Sequence, residues 1–144
     1  MRKSLAGWCV LIAASGFGCA STGARFTPTR PDPFSRMETL SRILVLEDSR
    51  SLGAGAIQGF LENDDPSIRR RAAIAAGRIG DPLAGPSLTR RLKDPVKEVA
   101  QSAAFALGLI GSKDSMTALL EALKGSDPEL RGRAAEALLS LIHI

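Results

Sequence analysis

The sequence contains no tyrosine, and aromatic residues make up 4% of it. β-Sandwiches and barrels draw on aromatic and β-branched residues to cover their sheets, so this scarcity disfavours an all-β fold. The hydrophobic residues are mostly alanine, leucine and isoleucine, which suit closely packed helices. The composition therefore predicts an all-α fold, in a chain of 144 residues that suits one domain.

Cysteine and histidine are almost missing as well. The two cysteines, Cys9 and Cys19, both lie in the first 19 residues, and the one histidine is His143. Beyond residue 19, no disulfide, thiol nucleophile or cysteine metal site can form, and a Ser-His-Asp triad lacks its internal histidine. We therefore predict no catalytic residues, no metal site and no cofactor, which makes the chain a non-enzyme.

Positive charge is modest. The 19 lysines and arginines face 15 acidic residues, and Arg2 and Lys3 belong to the N-terminal leader described next. Without those two bases, the balance is 17 against 15. A nucleic-acid-binding domain usually carries a larger basic excess on one face. We expect no nucleic acid among the partners.

Residues 1–19 have the layout of a signal peptide. Arg2 and Lys3 precede an apolar run over 5–18, which is shorter than the roughly 20 residues that a membrane-spanning helix needs. The run ends in GFGC, which resembles a bacterial lipobox, although Gly16 stands where that motif usually has leucine. The resemblance implies a lipidated Cys19 and a membrane anchor. Ordinary cleavage after Ala20 is the alternative.

Residues 20–35 are predicted to form a flexible tether. Pro28, Pro31 and Pro33 interrupt both helix and strand in this segment. Extended at about 3.1 Å per residue, the tether would hold the folded part roughly 50 Å from a membrane surface. Together with the leader, it predicts a lipoprotein of the cell envelope that faces the periplasm or the exterior.

The remaining sequence, 36–144, repeats itself every 31 residues without gaps. Residues 63–80, 94–111 and 125–142 align, with Ala72, Ala103 and Ala134 in one shared position. Gly77 and Gly108 share another position, where the third copy has Leu139. A fixed period over most of a chain is typical of a stacked solenoid, in which one unit cannot bury its apolar face alone.

Each unit reads as a pair of helices. In the longer one, Ile68, Ala72 and Ala75 share one helical face. Asp-Pro pairs are expected to start the helices, with aspartate as the cap and proline in the first turn. We predict an all-α solenoid of about three helix pairs, with residues 36–47 as an N-terminal capping helix or a decayed half repeat.

This pattern resembles the short bacterial HEAT repeats related to phycobilisome lyases. In that family, the arginine at the position of Arg69 and Arg131 usually pairs with an aspartate of the next unit, which makes Asp94 the expected partner of Arg69. The middle copy departs from the pattern, because Ala100 replaces the arginine. Related iron hydroxylases use His-Glu pairs as metal ligands, and related DNA glycosylases bind DNA in a basic groove. This sequence has neither feature.

One face of the long helices carries unexpected apolar residues. At 100° per residue, Ile74 lies away from the core face, and shifts by 31 place Ile43, Phe105 and Glu136 in its column. The alternatives are tighter packing between repeats, contact with the tether, or a strip that binds a peptide or an acidic partner, whereas Arg70 and Arg71 would be solvated. The predicted binding residues are Ile43, Arg71, Ile74, Arg78, Phe105, Leu109 and Arg133.

The C-terminal sequence LLSLIHI, 138–144, is apolar, although a terminal repeat normally has a polar outer face. Either the C-terminal helix associates with another copy or a partner, or the chain is a piece of a longer solenoid. The main functional hypothesis is a non-enzymatic, lipid-anchored scaffold that binds a protein or peptide. The alternative is an enzyme or enzyme accessory of the bilin-lyase or DNA-binding HEAT type.

The leader gives the first testable prediction. Mass spectrometry of the mature N-terminus is expected to show a lipid-modified Cys19, because GFGC follows a short apolar run. A free N-terminus at Ser21 would contradict lipidation and leave export intact.

Overall fold

A computed structural model describes residues 33–143, and this part of the chain is helical without any strand. Seven α-helices follow one another, with single 3-10 turns at Pro82–Ala84 and Lys113–Ser115 before the fourth and the sixth. They are α1 (Pro33–Asp48), α2 (Ala56–Leu61), α3 (Pro66–Ile79), α4 (Gly85–Arg91), α5 (Lys97–Ile110), α6 (Met116–Ala122) and α7 (Pro128–His143). The predicted all-α solenoid is confirmed.

The helices form two layers. The long helices α1, α3, α5 and α7 pack side by side in chain order, and each short helix packs against the long helix that follows it. The pairs α2–α3, α4–α5 and α6–α7 are the three predicted repeat units, and α1 covers the N-terminal side of α3. The core between the layers holds the largest fully buried side chains, among them Ile57, Leu61, Leu88, Leu107 and Leu119.

Helix α1 is longer than the predicted capping helix. It begins at Pro33, inside the segment 20–35 that was predicted to be a tether. The boundary was wrong because proline interrupts a helix only in its interior. At the first position, the missing N–H would have no intrahelical partner anyway. Residues 20–32, Cys19 and the rest of the predicted leader lie outside the described residues.

The Asp-Pro pairs start helices in more than one way. Asp65 caps α3 and accepts a hydrogen bond from the backbone N–H of Ser67, with Pro66 as the first helical residue. Before α5, the pair Asp94-Pro95 stands two residues earlier in the repeat, and the helix begins at Lys97, the position that corresponds to Pro66. There Asp94 accepts a hydrogen bond from the backbone N–H of Val96 at 3.0 Å, so its carboxylate still closes the turn that leads into the helix.

The long helices approach one another at the repeated glycines. A Cβ atom on Gly77 would lie 2.7 Å from the Cα of Ala106, and one on Gly108 would lie 2.8 Å from the Cα of Ala137. Both distances are well inside van der Waals contact, so the helices pack backbone to backbone. Small residues on both sides of each junction are therefore a requirement of the stack, which explains the alanine-rich composition.

This close approach gives a second prediction. Gly77→Ala is expected to destabilise the protein by about 1–3 kcal/mol, because the new methyl group forces α3 and α5 apart. Gly132→Ala is the matched control, since a Cβ at this exposed helical position meets no atom within 4 Å. The control is expected to be neutral or to stabilise by up to about 1 kcal/mol through helix propensity. Urea unfolding of both variants tests the difference, and equal midpoints would contradict it.

Candidate functional site

A small cavity opens on the exposed face of the long helices, between α3, α5 and α7. Its volume is about 290 Å³. We call this surface the long-helix face, and the residues that line the cavity are Arg70, Ile74, Arg78, Glu98, Gln101, Ser102, Phe105 and Arg133. Four of the seven predicted binding residues, Ile74, Arg78, Phe105 and Arg133, therefore meet in one place.

Phe105 lines this cavity and is not a core residue. Its side chain is 40% exposed, and that of Ile74 is half-buried. The guanidinium carbon of Arg133 lies 5.8 Å from the centroid of the Phe105 ring, within the range of a cation–π contact. Arg133 also donates a hydrogen bond to Glu136 at 3.0 Å. In the third repeat, Glu136 occupies the position of Phe105, and its carboxylate holds Arg133 over the Phe105 ring.

Ile43 does not belong to the exposed column, and its prediction as a binding residue was wrong. Its side chain is fully buried. The reason is the orientation of α1. Arg36 and Glu47 both contact α3, and Ile43 lies seven residues after the first and four before the second. The three residues share one helical stripe, so the stripe that meets α3 carries Ile43 into the core.

Glu47 engages two of the predicted binding arginines. One carboxylate oxygen accepts a hydrogen bond from Arg71 and the other accepts one from Arg78, each at 2.6 Å. Arg71 is therefore paired, contrary to the expectation that it is solvated. Sequence reasoning missed Glu47, although it stands one period, 31 residues, before Arg78.

Leu109 lies apart from the cavity around Phe105. It is half exposed and borders a separate depression of about 900 Å³ near the C-terminal ends of α1 and α3, together with Leu44 and Asp48. Arg78 lines both depressions. The predicted strip therefore borders two depressions, and Arg78 is the residue that they share.

Arg70 is solvated, as expected, and it also contributes to the site. It is exposed, lines the cavity around Phe105 and forms no ion pair with any residue in the range 33–143. Its column after a shift of 31 is Gln101, which lines the same cavity. The column of Arg70 and Gln101 was the available signal, and the sequence analysis used the columns of Arg71 and Arg78 instead.

Arg69 is buried between repeats and does not contribute to the long-helix face. Its Nε and Nη2 donate hydrogen bonds to the two carboxylate oxygens of Asp94, both at 2.9 Å, and the Asp94 side chain is fully buried. Its Nη1 donates to the carbonyl oxygens of Asn63 and Asp64. The predicted pairing of Arg69 with Asp94 is confirmed, and this bidentate contact ties one repeat to the next.

An aspartate just before each long helix after α1 is contacted by a side chain of the preceding long helix. Arg36 of α1 contacts Asp65, as Arg69 of α3 contacts Asp94. In the next contact the donor is a glutamine, since Gln101 of α5 donates to Asp127 at 3.0 Å. Burial raises the pKa of Asp94, but hydrogen bonds from Arg69 and Val96 and the nearby arginine charges outweigh it, so the pKa is lowered. The hydrogen bond from Gln101 is the main reason why the pKa of Asp127 is lowered.

Two structural observations concern sites other than the long-helix face. No three histidine, cysteine, aspartate or glutamate residues come together as a metal-ion cluster anywhere in 33–143. Over the same residues, no helix has the length and hydropathy to cross a membrane.

The family profile of HEAT repeats matches residues 53–108 and 85–142, which together exceed half of the sequence. The chain therefore belongs to the HEAT-repeat proteins. No curated protein matches the sequence. Among solved structures, the chain is similar to one in the complex of CpcE and CpcF of phycocyanin lyase from Nostoc sp. PCC7120. The TM-score is 0.64 at 23% identity, over 90% of this chain and 58% of that chain.

The comparison corrects the expectation that the chain is not an enzyme. One of the solved structures of this fold that it matches is that of a phycocyanin lyase complex. The expectation was based on the lack of known catalytic residue combinations in this chain. An enzyme formed by two chains need not carry such a combination in each of them. The chain spans 58% of the length of the matched chain, and at 23% identity the likeness shows the fold alone.

The buried Arg69–Asp94 pair gives a third prediction. Asp94→Asn is expected to cost about 3 kcal/mol at pH 7, because it leaves the buried Arg69 guanidinium without its counter-charge. The pKa of Asp94 is lowered from 3.8 in the folded protein. The charged carboxylate therefore stabilises the fold above about pH 4, and this contribution is lost as the pH falls through the lowered pKa.

Thermal melts of the wild type and Asp94→Asn at pH 7 and pH 3 test this pair. The gap between the two proteins is expected to narrow on acidification. Glu62→Gln is the matched control, because the Glu62 side chain is 45% exposed where it pairs with Arg90 and Arg91. It should cost less than about 1 kcal/mol. A gap for Asp94→Asn that does not change with pH would contradict the assigned role.

Proposed function

We propose that this chain is one subunit of a HEAT-repeat enzyme of the bilin-lyase type, and that its long-helix face binds the protein that is modified. The observation that carries the proposal is the half-exposed ring of Phe105 among arginines, in a fold similar to a chain of a phycocyanin lyase complex. A large aromatic side chain kept at the surface beside guanidinium groups is typical of protein-binding positions.

The chemistry of the face defines the ligand. Ile74 and Phe105 offer an apolar contact, and Arg70, which forms no ion pair within 33–143, and Arg133, which pairs with the exposed Glu136, bring positive charge to its edges. Arg78 is already paired with Glu47, and Glu98 contributes one carboxylate to the rim. A protein segment with an apolar side chain next to aspartate or glutamate fits this arrangement, because the ring takes the apolar group and the guanidinium groups take the carboxylate.

The cavity is too small for the whole tetrapyrrole that a bilin lyase attaches. At about 290 Å³, it lies at the lower end of the range for small-molecule pockets, which run from about 300 to 1,000 Å³. A side chain or two of a protein segment fits this volume better than an extended tetrapyrrole does. We therefore assign the face to recognition of the protein substrate, and we leave the tetrapyrrole to another surface of the assembly.

The predicted N-terminal leader bears on this proposal. An exported lipoprotein on Cys19 would work in the cell envelope and could not serve a cytoplasmic pathway for chromophore attachment. The envelope location remains our proposal for the case in which Cys19 is found modified. An unprocessed N-terminus would support the lyase-type function.

The fourth prediction concerns Phe105. Phe105→Glu repeats what the next copy has at Glu136, and for an exposed position it should change the free energy of unfolding by no more than about 1 kcal/mol. Binding of purified apo-phycocyanin, measured by isothermal calorimetry with the full chain, should weaken by about tenfold or more, because a charge replaces the apolar anchor.

Leu83→Glu is the control for this experiment, since Leu83 is exposed on the 3-10 turn before α4, away from the long-helix face. It should bind as the wild type does. A collapse of the melting temperature in Phe105→Glu would make Phe105 a packing residue. Absence of binding by the wild type at tens of micromolar would contradict apo-phycocyanin as the substrate.

A further inference from the structure

The Glu47 carboxylate lies between two arginines of α3 at the border of the long-helix face. Its Oε2 accepts a hydrogen bond from Arg71 and its Oε1 accepts one from Arg78, each at 2.6 Å. Arg71 and Arg78 stand two helical turns apart on one stripe of α3, and Glu47 reaches both from the last turn of α1. One carboxylate therefore offsets part of the positive charge that two guanidinium groups bring to this face.

Arg78 stays accessible although it is paired. Its side chain is 58% exposed, whereas that of Glu47 is 14% exposed. Arg78 uses Nη1 for Glu47, and none of its other side-chain nitrogens donates a hydrogen bond to a residue in 33–143. It lines both the cavity around Phe105 and the depression that Leu109 borders. A ligand carboxylate can therefore reach Arg78 without displacing Glu47, but it then meets the negative charge of Glu47 at close range.

The other two arginines of the cavity receive no carboxylate from a neighbouring long helix. Arg70 forms no ion pair within 33–143, and Arg133 pairs with the exposed Glu136 of its own helix. The first carboxylate of an acidic ligand is therefore expected at Arg70 or Arg133. A further carboxylate has to use Arg78, next to Glu47, where the attraction is weaker.

We propose that Glu47 is a specificity-determining residue of the long-helix face, and that it limits this face to protein segments with few acidic side chains. This inference rests on the proposed function, because it concerns the same face and the same class of ligand. Glu47 repels each further carboxylate beside Arg78, so a strongly acidic segment gains little over one with a single aspartate or glutamate. Selection against a highly charged partner then comes from a repulsive group on the protein.

Two synthetic peptides of equal length test the inference with the full chain. Each contains one leucine, which is flanked by one glutamate in the first peptide and by three in the second. In NMR titrations, the wild type should bind the two peptides with dissociation constants within about threefold of each other. Glu47→Gln should bind the three-glutamate peptide about fivefold more tightly than the wild type does, because Arg71 and Arg78 lose their carboxylate. This gain should shrink at about 0.5 M salt.

Glu62→Gln is the matched control. Glu62 also accepts hydrogen bonds from two arginines, Arg90 and Arg91, and its replacement changes the net charge by the same amount. These contacts join the ends of the short helices α2 and α4, so this variant should bind both peptides as the wild type does. Adding Arg78→Ala to Glu47→Gln should remove most of the gain.

The side chains of Arg71 and Arg78 are both partly exposed, so Glu47→Gln is expected to fold, which circular dichroism checks. Unchanged or weaker binding of the three-glutamate peptide by Glu47→Gln would overturn the inference, since that result is expected if Glu47 only attaches α1 to α3. An equal gain in Glu62→Gln would reduce the effect to net charge and would overturn it too.

Two results with the wild type alone would also overturn the inference. One is a preference for the three-glutamate peptide of more than about fivefold, and the other is no binding of either peptide at about 1 mM. The peptides keep this test separate from the proposed function. A wild type that does not bind apo-phycocyanin contradicts the proposed substrate, whereas the comparison of the two peptides still decides the role of Glu47.

Discussion

The backbone contact of each long helix with the next is the constraint on which the rest of this structure depends. Gly77 against Ala106 and Gly108 against Ala137 bring the helix axes so near that no larger side chain fits between them. The large aliphatic side chains are consequently placed between the two layers, where the short helices supply Ile57, Leu88 and Leu119. The same closeness brings Arg69 within bidentate reach of Asp94.

The arginines fall into two groups that look alike in the sequence. Arg69 is buried and connects repeats, and Arg71 and Arg78 are held by Glu47 of α1. Arg70 and Arg133 line the cavity around Phe105, where Arg70 forms no ion pair within 33–143 and Arg133 pairs with the exposed Glu136 of its own helix. The positive character of the long-helix face therefore depends less on the number of arginines than on where the carboxylates of neighbouring helices lie.

The period of 31 residues was enough to predict the solenoid and the three helix pairs, because the same short-range geometry recurs in every unit. It predicted Ile74, Phe105 and Arg133 together for the same reason. The Arg69–Asp94 contact was predicted from the resemblance to HEAT repeats. The period failed for Ile43. Within 33–143, α3 is the long helix against which α1 packs, and this contact rotates α1 so that Ile43 lies in the core. The period also missed Glu47, because pairing across helices depends on side-chain reach, which a column of aligned positions does not contain. Arg70 was missed because its own column was left out.

The absence of gaps in the repeat has a consequence for insertions and deletions. One residue added inside α3 or α5 would turn the following part of that helix by about 100° and move Gly77 or Gly108 away from its alanine. Changes of length are therefore tolerated only where the chain leaves the stack. The turn over 49–55 has this freedom: it is longer than the link from α3 to the 3-10 turn at Pro82–Ala84, and it contains the left-handed residues Arg50, Gly53, Ala54 and Gly55.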